Sequence, residues 1–155
     1  MSVKLTAFLA FLFSCCLFSC QEKYTTTPVL TFSELSKSFM TQNGTDSLFL
    51  TFLFKDGDGD IGTDTSKNII VTDARDGSIL ASYKVPDYLL NNNNSRKGSI
   101  TLVVYSACCI YPNGTSCQPS NDYPTDEMRY EIQMQDRAGN WSNIIQSDLV
   151  TLECN

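Results

Sequence analysis

Apolar and polar side chains alternate strictly through Tyr130-Glu131-Ile132-Gln133-Met134-Gln135, which predicts a strand with one face on a core and the other in water. Ser47 to Phe54 is denser: Leu48, Leu50, Phe52 and Phe54 line one face while Phe49 and Leu53 line the other. That pattern predicts a central strand covered on both sides. Val29 to Phe32 reads as a first edge strand, with Pro28 placed just before it where its missing N–H does no harm. Asn68 to Thr72, Ile79 to Val85, Ser99 to Ala107 and Ile144 to Leu152 read as further strands, and Pro86 closes the second of these. Turns fall at Gln42 to Asp46, at Asp76-Gly77 and at Ala138-Gly139-Asn140. Ser33 to Met40 has room for one short turn of helix at most. Asn91 to Asn94 with Ser95-Arg96-Lys97-Gly98 is a polar, solvent-facing loop, and Tyr111 to Pro124 carries too many proline and Asn-Gly breakers for regular structure. About seven short strands without helical crossovers predict an all-β fold, an antiparallel immunoglobulin-like or fibronectin-like sandwich.

The N-terminus has a different pattern. Lys4 precedes an apolar run from Leu5 to Phe18, which stops at Ser19-Cys20-Gln21-Glu22-Lys23. The run is short for a membrane span, so residues 1–19 are read as a cleaved signal and set aside from the fold. Leu17-Phe18-Ser19-Cys20 resembles the lipobox of bacterial lipoproteins, in which the cysteine becomes the acylated first residue of the mature chain. Leu12-Phe13-Ser14-Cys15 repeats the four residues, but polar residues begin only after Cys20. The alternative is an ordinary secretory signal with an incidental cysteine. We expect residues 20–28 to be a lipidated N-terminus and polar tether, holding a domain of residues 29–155 to a membrane. Gln21 is not the aspartate that resembles an inner-membrane retention signal, which points to the outer membrane, and Glu22 favours its outer face.

Charge narrows the partners. The formal charge of −6 becomes −7 once residues 1–19, which hold Lys4 and no acid, are removed. Such a chain is ill suited to nucleic acid, whose binding needs a basic face. Cys108, Cys109, Cys117 and Cys154 remain in the exported domain. With no histidine, and with a spacing foreign to zinc sites, they predict two disulfides whose connectivity stays open among three pairings. A vicinal bond is the least favoured, and Cys154 is expected to tie the last strand to the Cys108 to Cys117 segment.

The candidate chemistry lies in Lys55-Asp56-Gly57-Asp58-Gly59-Asp60-Ile61-Gly62, where three carboxylates alternate with glycines. Like charges that close repel unless a cation sits among them, and oxygen ligands on a pliant backbone suit Ca²⁺. Ile61 and Lys67 stand where an EF-hand needs glycine and glutamate, so the loop is closer to the calcium loops of thrombospondin type 3 repeats. Asp56, Asp58 and Asp60 are the expected ligands. Asp136 and Asn140 would complete the shell if their turn lies at the same end of the sandwich. The plain alternative is a solvated acidic turn. No Ser-His-Asp or Cys-His arrangement is available, and nothing in the spacing of Asp126, Glu127 and Glu131 marks a carboxylate pair, so an enzyme is not expected. Tyr88, Tyr111, Tyr123 and Trp141 lie in or beside loops; the tyrosines could stack on sugars, while Trp141 is expected to pack over the core edge.

Phe54 to Gly62, Cys108-Cys109 and Asp136-Arg137-Ala138-Gly139-Asn140-Trp141-Ser142 together resemble a family of surface lipoproteins of Gram-negative bacteria with immunoglobulin-like domains. The resemblance covers most of the mature chain and implies a fold and a cell-surface address, with hardly any activity. Two readings follow: a lipid-anchored binding or structural module, or an accessory protein that binds or degrades envelope glycans.

Overall fold

A computed structural model describes residues 25–43, 46–63, 65–86, 96–112 and 116–155. Residues 1–19, read above as a signal, and Cys20, Tyr88 and Asn91 to Asn94 lie outside the described residues. Ten strands are present among them: β1 (Val29–Leu35), β2 (Phe39–Thr41), β3 (Ser47–Lys55), β4 (Ile69–Asp73), β5 (Ile79–Tyr83), β6 (Lys97–Tyr105), β7 (Thr125–Met128), β8 (Tyr130–Met134), β9 (Ile145–Gln146) and β10 (Val150–Glu153). They form three sheets ordered β1-β3-β6, β2-β10-β7 and β5-β4-β8-β9. Every pairing is antiparallel except β2 with β10.

The fold is the expected all-β sandwich. Leu48, Leu50, Phe52 and Phe54 of β3 meet Ile69 and Val71 of β4, Tyr130, Ile132 and Met134 of β8, and Leu152 of β10 in one core. Their period of two puts all of them on the inward side of their strands. Gly98 stands opposite Phe54 and makes room for its ring, since a Cβ there would lie 2.9 Å from Phe54 Cε1 and Cζ.

Four expectations are corrected. The strands number ten rather than about seven, because short β2, β7 and β9 carry too few residues to show a period. Ser33 to Met40 is no helical turn: β1 runs on to Leu35 and β2 begins at Phe39. β3 is central, as expected, but covered on one side only, leaving Phe49 57% and Leu53 46% exposed. Ile144 to Leu152 is not one strand, for the chain leaves β8 after Gln146 and rejoins β7 and β2 as β10. Buried Ser147 makes that crossing: its hydroxyl accepts the Tyr130 N–H at 3.0 Å and donates to Asp148 O at 2.7 Å. A hydroxyl bonded to local backbone competes with a continuing ladder.

Both edges of the β1-β3-β6 sheet are closed by side chains. Asn143 accepts the Leu30 N–H at 2.8 Å and donates back to Leu30 O at 3.1 Å, standing in for a strand partner. On the other edge, Tyr83 and Tyr130 hydroxyls donate to Val103 O at 2.5 Å and to Tyr105 O at 3.0 Å. Leu30 is buried, so Asn143→Ala leaves two backbone groups unpaired and is expected to cost about 1–3 kcal/mol. Urea unfolding measures it; a midpoint equal to wild type would show that water replaces the amide.

The end of the sandwich that carries Cys154 is held by two bridges, Cys108 to Cys117 and Cys109 to Cys154. Buried Gln42 clamps the second, its Nε2 donating to Cys154 O at 2.7 Å and its Oε1 accepting the Cys109 N–H at 3.2 Å. Arg75 fastens the same region, pairing with Asp73 and Asp126 and donating to Cys108 O at 2.8 Å. Asp126 is thereby spent on structure.

Candidate metal centre

The acidic loop begins where β3 ends. Asp56 extends the ladder by donating its N–H to Arg96 O at 2.7 Å, and Gly57 N–H reaches Thr25 O at 2.7 Å. Gly59, at φ +75°, takes the left-handed turn that glycine allows cheaply. The chain folds back so that Asp60 N–H donates to Asp56 Oδ2 at 2.9 Å. Ile61, fully buried, then pins the loop to the core.

The turn after β8 docks against this loop. Arg137 N–H donates to Asp60 O at 3.0 Å, and Ala138 N–H donates to Asp60 Oδ2 at 3.0 Å. Gly139, at φ +93°, closes the turn, whose shape is held by Asn140 donating through N and Nδ2 to the two oxygens of Asp136 at 2.7 and 2.8 Å. The turn therefore lies at the same end as the loop. Asp136 adds its charge to the centre, while the Asn140 amide group is turned to Asp136.

Carboxylate oxygens of Asp56, Asp58 and Asp60 lie within 4.8 Å of one another. Two oxygens on one Ca²⁺, each at about 2.3–2.6 Å, stand no more than roughly 5 Å apart, so the cluster fits that ion. The burial within it is unusual for an acidic turn. Asp56 is only 1% exposed, and its Oδ1, like Asp60 Oδ1, is buried without a hydrogen-bond partner. Burial, then the charge of Asp58, pushes the Asp56 carboxyl up to about 6 against the relief of the Asp60 N–H. Burial, with the charges of Asp136 and Asp58, raises that of Asp60. A buried carboxylate among like charges is costly unless neutralised, and a hard divalent cation bound by oxygens alone neutralises it.

Asn68 is the supporting residue that sequence reading passed over. Buried, it donates through Nδ2 to Ile61 O at 2.7 Å and to Gln135 O at 3.2 Å, and accepts the Val85 N–H at 2.9 Å. One side chain thus ties the acidic loop, the turn and the end of β5. The available signal was a polar amide next to the apolar Ile69-Ile70-Val71.

The other sites named from the sequence fall elsewhere. Tyr111 and Tyr123 pair at a centroid distance of 5.7 Å at the disulfide end. Trp141 is 40% exposed, less covered than expected, because its backbone only bridges Gln135 at the rim of the sheet. No family model, curated protein or solved structure matches the chain.

Proposed function

We propose that this chain is a lipid-anchored β-sandwich of the bacterial outer membrane, exposed at the cell surface, that binds Ca²⁺ and serves as a binding or structural module of immunoglobulin-like type. The calcium part rests on one observation, the buried Asp56 whose Oδ1 lacks a partner inside a cluster of three carboxylates. Asp56, Asp58 and Asp60 would hold the ion, with Asp136 adding charge behind them. The anchor rests on Cys20 after Leu17-Phe18-Ser19.

Calorimetric titration with CaCl₂ should give a saturable heat that Asp58→Asn with Asp60→Asn removes; a flat trace would reduce the loop to an acidic turn. Cys20→Ala should release the protein from membranes on carbonate washing, and continued attachment would sink the lipid assignment. A second reading, an accessory protein for envelope glycans, is favoured by the paired rings of Tyr111 and Tyr123. A glycan array with no binder and a hydrolase screen with no turnover would remove it.

A further inference from the structure

We propose that the metal-bearing end of the sandwich is a docking surface for an anionic lipid bilayer, with the ion held by Asp56, Asp58 and Asp60 adding to its positive charge. This deepens the proposed function and rests on its anchor and its calcium ion.

Chain length brings this end to the membrane. Thr25 O accepts the Gly57 N–H, so the tether leaves the domain beside the acidic loop. Cys20 lies five residues before Thr25. An extended chain spans at most about 3.3–3.6 Å per residue, so an acyl group on Cys20 keeps the loop within roughly 18 Å of the bilayer. The disulfide-bonded end points the other way.

Charge is divided along the same axis. Lys55, Lys67, Lys84, Arg96, Lys97 and Arg137 are all exposed and all belong to the metal-bearing end. Lys55 faces Lys97 in register, Arg96 O and Asp60 O receive the Asp56 and Arg137 N–H groups, and Lys67 and Lys84 adjoin Asn68 and Val85. At the far end Asp73, Asp76, Asp122, Asp126 and Glu153 outnumber the bases Lys37, Arg75 and Arg129. Among the described residues the acids of the metal-bearing end are the four of the centre. The six bases outnumber them, and a divalent ion widens the excess. Basic groups within a Debye length of an anionic leaflet, about 8 Å at physiological salt, are drawn to it.

Apolar surface accompanies the charge. Val29 and Leu53 line an open groove of about 390 Å³ with Lys55 and Lys97 beside them. Trp141 and Ile144 are exposed on the neighbouring turn and the segment after it. Lysines that keep their charge at headgroup level while their stems cover apolar surface, together with an exposed tryptophan, suit the membrane interface.

Trp141 is the sole tryptophan, so it reports the contact directly. The acylated mature chain is reconstituted on phosphatidylcholine vesicles and on phosphatidylcholine–phosphatidylglycerol vesicles, both with brominated acyl chains. With Ca²⁺, quenching of Trp141 is expected to be at least about twofold greater on the anionic vesicles, and EDTA should reduce the difference. Lys55→Glu with Lys97→Glu should erase the difference, while leaving the Ca²⁺-dependent melting shift and the vesicle attachment intact. Equal quenching on the two vesicles, with the protein attached, overturns the proposal and assigns the groove to a protein or a second copy. Excess quenching that EDTA leaves undiminished overturns the part given to the ion. A chain that fails to float with neutral vesicles refutes the anchor instead, and docking is then read from its flotation with anionic vesicles in Ca²⁺, whose absence overturns the proposal.

Discussion

Millimolar Ca²⁺ is expected to raise the melting temperature of this protein by on the order of 10 °C. A ligand that binds only the native state stabilises it by RT ln(1 + [L]/Kd), about 2.7 kcal/mol at a hundredfold excess over Kd, and a domain of this size shifts by roughly 3–5 °C per kcal/mol. Mg²⁺ should do less, since it keeps its waters and insists on octahedral geometry. Asp58→Asn with Asp60→Asn should abolish the shift and leave the chelated protein as stable or more so, because repulsion around buried Asp56 is relieved. The chelated protein should also respond to acid in an unusual direction. The Asp56 carboxyl titrates near 6 in the fold against 3.8 in its ordinary state, so the native state holds the proton more tightly. Stability from this group is therefore present below about pH 4, lost as pH rises to 6, and regained on acidification by up to about 3 kcal/mol. Comparing urea midpoints of wild type and Asp56→Asn in EDTA isolates that contribution from the other carboxylates. If EDTA leaves the wild-type melting curve unmoved, the cluster holds no ion.

Loss of the Cys109 to Cys154 bridge should cost more. Its partners are 45 residues apart in sequence, and constraining an unfolded loop of that length is worth about 4 kcal/mol in the chain-entropy account. The Cys108 to Cys117 bridge spans only 9 residues, for which the same account gives about 2.5 kcal/mol. Cys109→Ser with Cys154→Ser is thus expected to lower the unfolding free energy by about 4 kcal/mol and the corresponding Cys108 and Cys117 pair of changes by less. Burial sharpens the contrast, because Cys109 and Cys154 are fully buried and Gln42 bonds the backbone of both, so serine hydroxyls there would need new partners. Denaturant midpoints without reductant measure both variants. Equal losses would mean that strain or residual structure, rather than loop length, sets the value of these bridges. Non-reducing mass spectrometry should find all four cysteines oxidised in the mature domain.

Residue order alone determined the strands with a strong local period, above all Ser47–Lys55 and Tyr130–Met134, and the glycine turns at Gly77 and Gly139. It also determined the candidate ligands Asp56, Asp58 and Asp60, since alternate positions on one short loop stay close however the remainder packs. Other features depended on contacts between residues far apart in the chain, which a local period cannot report. Phe49 and Leu53 look as apolar as Leu48 and Leu50, yet only one face of β3 meets a second sheet. Ser147 splits an apolar run because its hydroxyl takes the N–H of Tyr130 on the neighbouring strand, far away in sequence. Cysteine pairing waited on the meeting of β10 with the segment after β6. Part of the candidate site's character is tertiary in the same sense: Asp56 is buried with an unpartnered Oδ1, and its carboxyl is raised first by that burial, then by the charge of neighbouring Asp58, with Asp60 and the distant Asp136 adding to it.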